Sequence, residues 1–324
     1  MPINASADGG TYSELLTASA QEHGSGGDFI TDLVAPVMKA PAQDYSVPKF
    51  KAQRNSQGRT QTTVGSDGSL NIRTGHAPTF VPGKAIRRGV KTFIRDEDRA
   101  HHLADLFVDE EAEVNSLVDE LRLEREIALK AALDVVGAVS GYYASPSVKW
   151  DATSGDPIIP SIIEAGVRAA ELNSGMSVES GNWKIIIPPL VADVVRGYLR
   201  TKLLYTDAQF QVNGILPAKI GGVDVICPGA MRNTAASGQT ASVARIWNTD
   251  DVYIVYVDPK AANARRTFTA FGQMVWDGVT PRYAVEKWRD PDKDVKRDWI
   301  SCEVYDSLEV LSQDGIYVLP NVLT

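Results

Sequence analysis

The residue types that most often carry chemistry are sparse in this 324-residue chain, which has four histidines and two cysteines. Their spacing supports no familiar site. Gly83-Lys84 is followed by Ala85, where a phosphate-cradling loop needs Ser or Thr, and the upstream glycine spacing is also wrong. GSGG at 24–27 lacks both the GxGxxG spacing and a preceding strand, and GAVSG at 137–141 is one position out for a nucleophile elbow. His101 and His102 are adjacent, so they point to different helix faces and cannot form an i, i+4 ligand pair. His23 and His76 fall in segments expected to be flexible. DPDKD at 290–294 starts like a calcium loop, but Val295 and Ser301 stand where that loop needs Gly and Glu, so it reads as a polar hairpin turn. Cys227 and Cys302 form no CxxC pair, which argues against a disulfide framework, a zinc site or a redox motif and fits a reducing compartment. No catalytic, cofactor-binding or metal set emerges, and no cofactor is expected.

Charge is what the sequence does organise. Residues 49–95 hold ten Lys or Arg against one acid, Asp67. The sign then reverses, with twelve acids against three arginines from Asp96 to Glu126. The whole chain is acidic, at net −8 and pI near 5.1, whereas tight phosphate binders usually carry the opposite sign. That leaves room for a protein that encloses nucleic acid without gripping it. The basic stretch has six glycines and only scattered apolar residues, too few to build a core of its own. It is therefore expected to be disordered or to lie on another molecule. Phe50, Phe80 and Phe93 are too scattered to make a base-stacking platform.

The elements around these charges follow from periodicity. Residues 12–20 suggest a short helix in a Gly/Ser/Ala-rich arm, and FITDLVAPV at 29–37 a second one stopped before Pro36. TTVGSDGSL at 62–70 looks like a hairpin tip. Leu103, Phe107, Val114, Val118, Leu121, Ala128, Ala132 and Val135 recur at helical steps, which predicts one long helix from an Asp96 cap to a Gly137 stop. Asp156-Pro157 predicts a helix to about 172, WKIII at 183–187 a buried strand, and Pro188-Pro189 a helix to about 204. Strands are expected at 223–226 and 252–257, with an Ala/Gly/Ser-rich loop at 229–242 between them. A long antiparallel pair is expected at 283–288 and 299–311, then a short strand at 315–319. The first ten residues lack a basic and an apolar region, so no secretory signal is expected. The most apolar run, 185–195, is broken by two prolines and Asp193, short of the roughly 18 residues of a membrane span.

This ordered set resembles the major capsid protein of tailed bacteriophages, which has the HK97-like fold. FITDLVAPV followed by DYSVPKF is similar to the family's N-terminal arm. The basic excursion is similar to its E-loop, and DLFVDEEAEVNSLVDELRLEREIALKAALDVV at 105–136 to its spine helix. Lys149-Trp150, Gly155-Asp156-Pro157-Ile158 and Gly181-Asn182-Trp183 are similar to the passage into the axial domain. WISCEVYDSLEVLSQDGIYVLPNVL at 299–323 is similar to the closing strands of the peripheral domain. The resemblance implies an α+β fold divided into an arm (1–48), an extended E-loop (49–95), spine helix and first part of the peripheral domain (96–150), axial domain (151–275) and closing strands (276–324). It implies a structural protein, not an enzyme, that self-assembles into an icosahedral head of hexamers and pentamers around double-stranded DNA. The partners implied are other copies, a portal and scaffolding or decoration proteins, with no membrane; the location implied is the virion capsid, assembled in the host cytoplasm. A fused scaffolding segment as large as some relatives carry is not expected before Phe29, and no crosslinking lysine is matched.

Charge and resemblance together nominate residues. Lys49, Arg54, Arg59, Lys84, Arg87, Arg88 and Lys91 are candidate donors to a neighbouring copy's helix. Asp105, Asp109, Glu110, Glu111, Glu113, Asp119 and Glu120 are the candidate acceptors. Phe29 and Leu33 are candidate apolar arm contacts. Three other readings stay open: an encapsulin-like compartment shell, a cytoplasmic α/β enzyme with a basic lid over an anionic substrate, and a monomeric nucleic-acid binder.

Overall fold

The computed structural model describes residues 11–12, 14–22, 29–49, 79–97, 106–152, 158–203, 212, 215–235, 239–240, 242–262, 268–276, 282–292 and 296–324. Two sheets share one long helix, α3 (Leu106–Gly137). At 32 residues it is about 48 Å long.

The first sheet has five strands in the order β15 (Ile316–Leu319), β11 (Val252–Tyr256), β6 (Trp183–Ile186), β8 (Val223–Ile226) and β7 (Lys219–Ile220). β6 and β8 run parallel; the other pairs are antiparallel. Alternate residues serve two cores. Ile185, Ile254 and Leu319 face α4 (Ile159–Ser174) and α5 (Pro189–Lys202), among Ile163, Val167, Val191 and Val195. Ile186, Tyr253, Val255, Ile316 and Val318 pack with Leu129, Leu133 and Val136 of α3. Burial on both faces is why β11 and β15 read as unbroken apolar runs. The α4 C-terminus is closed by Gly175, whose φ of 69° is the left-handed conformation a helix stop favours.

The second sheet has six strands. β14 (Arg297–Val310) is its axis, with β5 (Ile86–Arg95) along one edge. β13 (Ala284–Arg289) and then β12 (Phe271–Val275) lie along the other, because β5 shares β14 partners with both. β1 (Thr11–Tyr12) extends β13, and β2 (Val37–Lys39) runs parallel to β12. The inner face, with Val285, Ile300, Cys302 and Val304, meets Val114, Leu117, Val118 and Leu121 of α3 and Leu16 and Ala20 of α1 (Glu14–Glu22).

Two ribbons stand apart from these sheets: β3 (Asp44–Lys49) with β4 (Thr79–Lys84), and β9 (Met231–Asn233) with β10 (Val243–Arg245). The root of the first ribbon is seated on Tyr45, Val47, Ala85, Met274 and Leu311. Gly83 is required there, since a Cβ would meet Tyr45 at 2.6 Å and Val47 at 2.7 Å.

Several expectations need correction. At the expected start of the long helix, β5 continues to Arg95, Asp96 and Glu97 are already helical, and Asp96 accepts from Arg289; 98–105, between these and Leu106, lie outside the described residues. The buried stripe shifts in the last turns to Leu129, Leu133 and Val136, leaving Val135 67% exposed. The arm helices run over Glu14–Glu22 and Thr31–Val34 (α2). The helix expected from Asp156-Pro157 begins at Ile159 with Pro160 in its first turn; 153–157 lie outside the described residues. The loop at 229–242 contains β9, and β12 was not foreseen. β12, inside the expected 151–275 unit, lies in the six-stranded sheet, and β15, inside 276–324, lies in the five-stranded one. The hairpin tip at 62–70 lies outside the described residues.

Candidate functional site

Residues 86–95 settle on their own chain. β5 pairs with β14 over ten residues, from Ile86↔Asp306 to Arg95↔Arg297. Its exposure alternates, and Val90 and Ile94 reach the core beneath. That period-two signal was present in the sequence and outweighs the basic composition of the segment. The expectation that all of 49–95 is disordered or lies on another molecule is corrected for this part. A strand held by a ten-residue ladder also cannot serve as a mobile lid.

The candidate cations divide accordingly. Arg87 is bidentate to Glu303, at 3.0 and 2.6 Å, and these hydrogen bonds raise its pKa further. Arg88 donates to Glu124 at 2.9 Å and lies 3.5 Å from the buried Asp306. Lys49 donates to the Val310 carbonyl at 2.6 Å, with Glu309 at 3.5 Å. Lys84 has Asp44 at 4.0 Å, both largely exposed. Lys91 is exposed, makes no ion pair among the described residues, and holds its ammonium 4.6 Å from the Trp299 ring. Arg54 and Arg59 lie outside the described residues.

The acids divide too. Glu110 accepts from Lys287 at 2.6 Å, Glu111 from the Ser19 hydroxyl at 2.8 Å, and Asp119 lies 3.6 Å from Arg122. Glu113 and Glu120 have no partner among the described residues and sit two helical turns apart on α3. Asp105 lies outside the described residues, and of Asp109 only the backbone is described. Phe29 is half-buried against the α3 core and Leu33 is 49% exposed; Ile30 and Val34 are the fully buried arm residues.

Two outward surfaces result. One is the ribbon, with Phe80 64% exposed and Val81 beside it. The other is the outer face of the six-stranded sheet. There Phe93 meets Trp299 edge-on, and Trp299 stacks near Trp288. A groove of about 360 Å³ lies between Arg87, Gly89, Lys91, Glu286, Trp288 and Ser301. Sequence reasoning missed this face because its residues come from three distant strands.

Beneath it lies a buried polar joint also absent from the sequence reading. Arg125 of α3 donates to Asp306 of β14 and to the Tyr283 hydroxyl. Burial opposes the Arg125 charge, but Asp306 and Tyr283 outweigh it and its pKa is raised. Gln273 of β12 donates to Asp306 at 3.1 Å, and Arg282 bridges Gln273 to Asp32 of the arm. One helix is thereby bonded to three strands and the arm. No group of three metal-ligating side chains occurs among the described residues, and no described helix is long and apolar enough to cross a membrane.

No protein-family model matches the chain, and no curated protein matches it by sequence. Solved structures do. A phage-related protein from Bordetella bronchiseptica is 15% identical with a TM-score of 0.70, covering 97% of this chain and 98% of its own. The capsid of the cyanophage P-SCSP1u is 12% identical with a TM-score of 0.57, covering 90% and 88%. A virus-like particle from Pyrococcus furiosus is 11% identical with a TM-score of 0.51, covering 94% and 98%. The chain has the HK97-like α+β fold of tailed-bacteriophage capsid proteins.

Proposed function

We propose that this chain is the major capsid protein of a tailed bacteriophage, self-assembling through hexamers and pentamers into an icosahedral head around double-stranded DNA. The observation that carries the reading is the likeness along nearly the whole chain to a phage-related protein and to a cyanophage capsid. A ribbon outside both sheets, with apolar residues facing outward, fits a subunit that is completed by its neighbours. Portal, scaffolding or decoration proteins belong to the same reading, as does location in the virion.

The inter-subunit pairing narrows to groups without an ion pair among the described residues. Lys91, the ribbon and Leu33 on one copy meet Glu113 and Glu120 on the next. Each such exposed pair is worth about 0–1 kcal/mol, and their number around a ring supplies the rest. Reversing Arg88 is a poor probe, since it would set a second carboxylate beside the buried Asp306 of the same chain. Lys91→Glu and the pair Glu113→Lys, Glu120→Lys are cleaner. Each is expected to lower particle yield at low salt and to flatten or reverse its fall with rising salt, because the new like-charge repulsion is screened, while circular dichroism stays unchanged. Unchanged yield across a salt series counts against the pairing.

Size-exclusion chromatography with negative-stain imaging tests the function itself. Capsomers or closed particles are expected, and a 35.1 kDa monomer under all conditions overturns it. The likeness to the virus-like particle supports a second reading, a compartment shell of the same fold. Nucleic-acid content of purified particles separates the two.

A further inference from the structure

Glu126 lies midway along α3, where the helix passes from one sheet to the other, and it is fully buried. Its Oε2 accepts from the Ile30 amide at 3.1 Å, the Thr31 amide at 3.0 Å and the Thr31 hydroxyl at 2.6 Å. Its Oε1 accepts from the Trp247 indole at 2.7 Å. The carboxylate thus caps α2 from outside, because Ile30, the residue before that helix, has no capping side chain. It also ties the arm to the loop carrying Trp247.

Four donors converge on this group, and among the described residues no cation pairs with it. The charged groups of the surrounding elements are committed elsewhere. On α2, Asp32 pairs with Arg282; on β6, Lys184 donates to the Leu33 carbonyl. On α3, Arg125 pairs with Asp306, Lys130 with Asp134 and Arg122 with Asp119. On β11, the Tyr253 hydroxyl donates to Asp134; near the Trp247 loop, Asp251 accepts from Thr249 and Asn321. Ile30, Val34 and Ala35 supply the apolar part of the arm's seat.

We propose that Glu126 is a protonation-gated latch for arm residues 29–34, holding them more firmly when its carboxyl is protonated and less firmly when it is ionised. A buried carboxylate without a cation is costly, and undocking the arm returns it to water. A neutral carboxyl keeps one oxygen as a full acceptor, toward the Trp247 indole, and the Thr31 hydroxyl can turn to receive the proton on the other. Burial pushes the Glu126 carboxyl up, against the hydrogen bonds from Thr31, Trp247 and Ile30. The docked state therefore binds the proton more tightly than the undocked one. Docking gains as pH falls toward the raised value and is lost as pH rises above it. Common intuition about acid and capped helices has the opposite sign. The latch does not depend on the shell reading.

Hydrogen exchange by mass spectrometry on the full chain, from about pH 8 to about pH 5, tests it. After correction for intrinsic exchange, amides of 30–34 are expected to become several-fold better protected in acid, with those of β11 unchanged as an internal control. Protection that is flat or falls in acid overturns the latch. Glu126→Gln should abolish the pH dependence and loosen the arm, because its amide would face the Trp247 N–H. A wild-type profile in that variant also overturns it. If the variant fails to fold, the wild-type profile alone decides.

Discussion

The two sheets lean on the same helix by different physics. Where α3 meets the five-stranded sheet the contact is mostly dry: Leu129, Leu133 and Val136 against Ile186, Val255, Ile316 and Val318, with one hydrogen bond from the Tyr253 hydroxyl to Asp134. Where it meets the six-stranded sheet, the apolar packing of Val114, Leu117, Val118 and Leu121 is joined by the buried Arg125, with Asp306 and the Tyr283 hydroxyl opposite and Gln273 beside them. Apolar burial is non-directional and tolerates small rotations. A guanidinium on a carboxylate fixes angle as well as distance. The dry half anchors the helix, and the polar half sets its direction relative to the strands that carry the outward face.

That contrast can be broken from either side. The largest effect is expected from Asp306→Ala, which leaves Arg125 buried without its carboxylate and takes an acceptor from Gln273. It should cost about 3–5 kcal/mol in urea unfolding. Leu133→Ala in the dry contact should cost a comparable amount, about 2–5 kcal/mol. The two differ in how they are rescued. Arg125→Met with Asp306→Leu should recover much of the first loss, because the pair stabilises little beyond its own burial. A double variant no better than Asp306→Ala alone would show that the joint's hydrogen bonds carry the stability themselves.

A smaller effect is expected at the ribbon root. Gly83→Ala forces a Cβ into Tyr45 and Val47, and should cost about 1–3 kcal/mol while disturbing assembly more than subunit stability. Equal particle yield would mean that the ribbon's direction does not matter. The smallest concerns the turn between β13 and β14. A hydrogen bond from Arg297, with others from the Asp292 amide and Trp299, holds the Asp290 carboxyl down to about 2. A depressed acid contributes stability above its ordinary value, and that contribution disappears as pH falls through about 2. Asp290→Asn should remove the contribution at neutral pH and flatten the acid limb of the unfolding curve. Identical acid limbs would count against this role.

The dry sheet was legible because its strands announce themselves. The run at 252–257 is apolar at every position and WKIII at every position but Lys184, and burial on both faces is the simplest way to satisfy them. The 283–311 pair was legible from its partial alternation and polar turn, and the structure pairs Trp288 with Trp299. β5 was misjudged because its arginines and lysines dominate the composition, while the decisive residues, Val90 and Ile94, are only two. β12 escaped because Gln273 interrupts a short run, and its burial makes sense only once Asp306 and Arg282 stand beside it.

By itself the sequence determined the apolar strands, the helical periodicity of α3, the reversal of charge near residue 96, and the resemblance that these form together. Those properties are local, each readable within a window of a few turns or strands. Only the tertiary structure decided which charges are spent within the chain, which sheet β12 and β15 join, and that Glu126 and Arg125 are buried. Each of those outcomes depends on partners tens to hundreds of residues away, and no local window contains both members of such a pair.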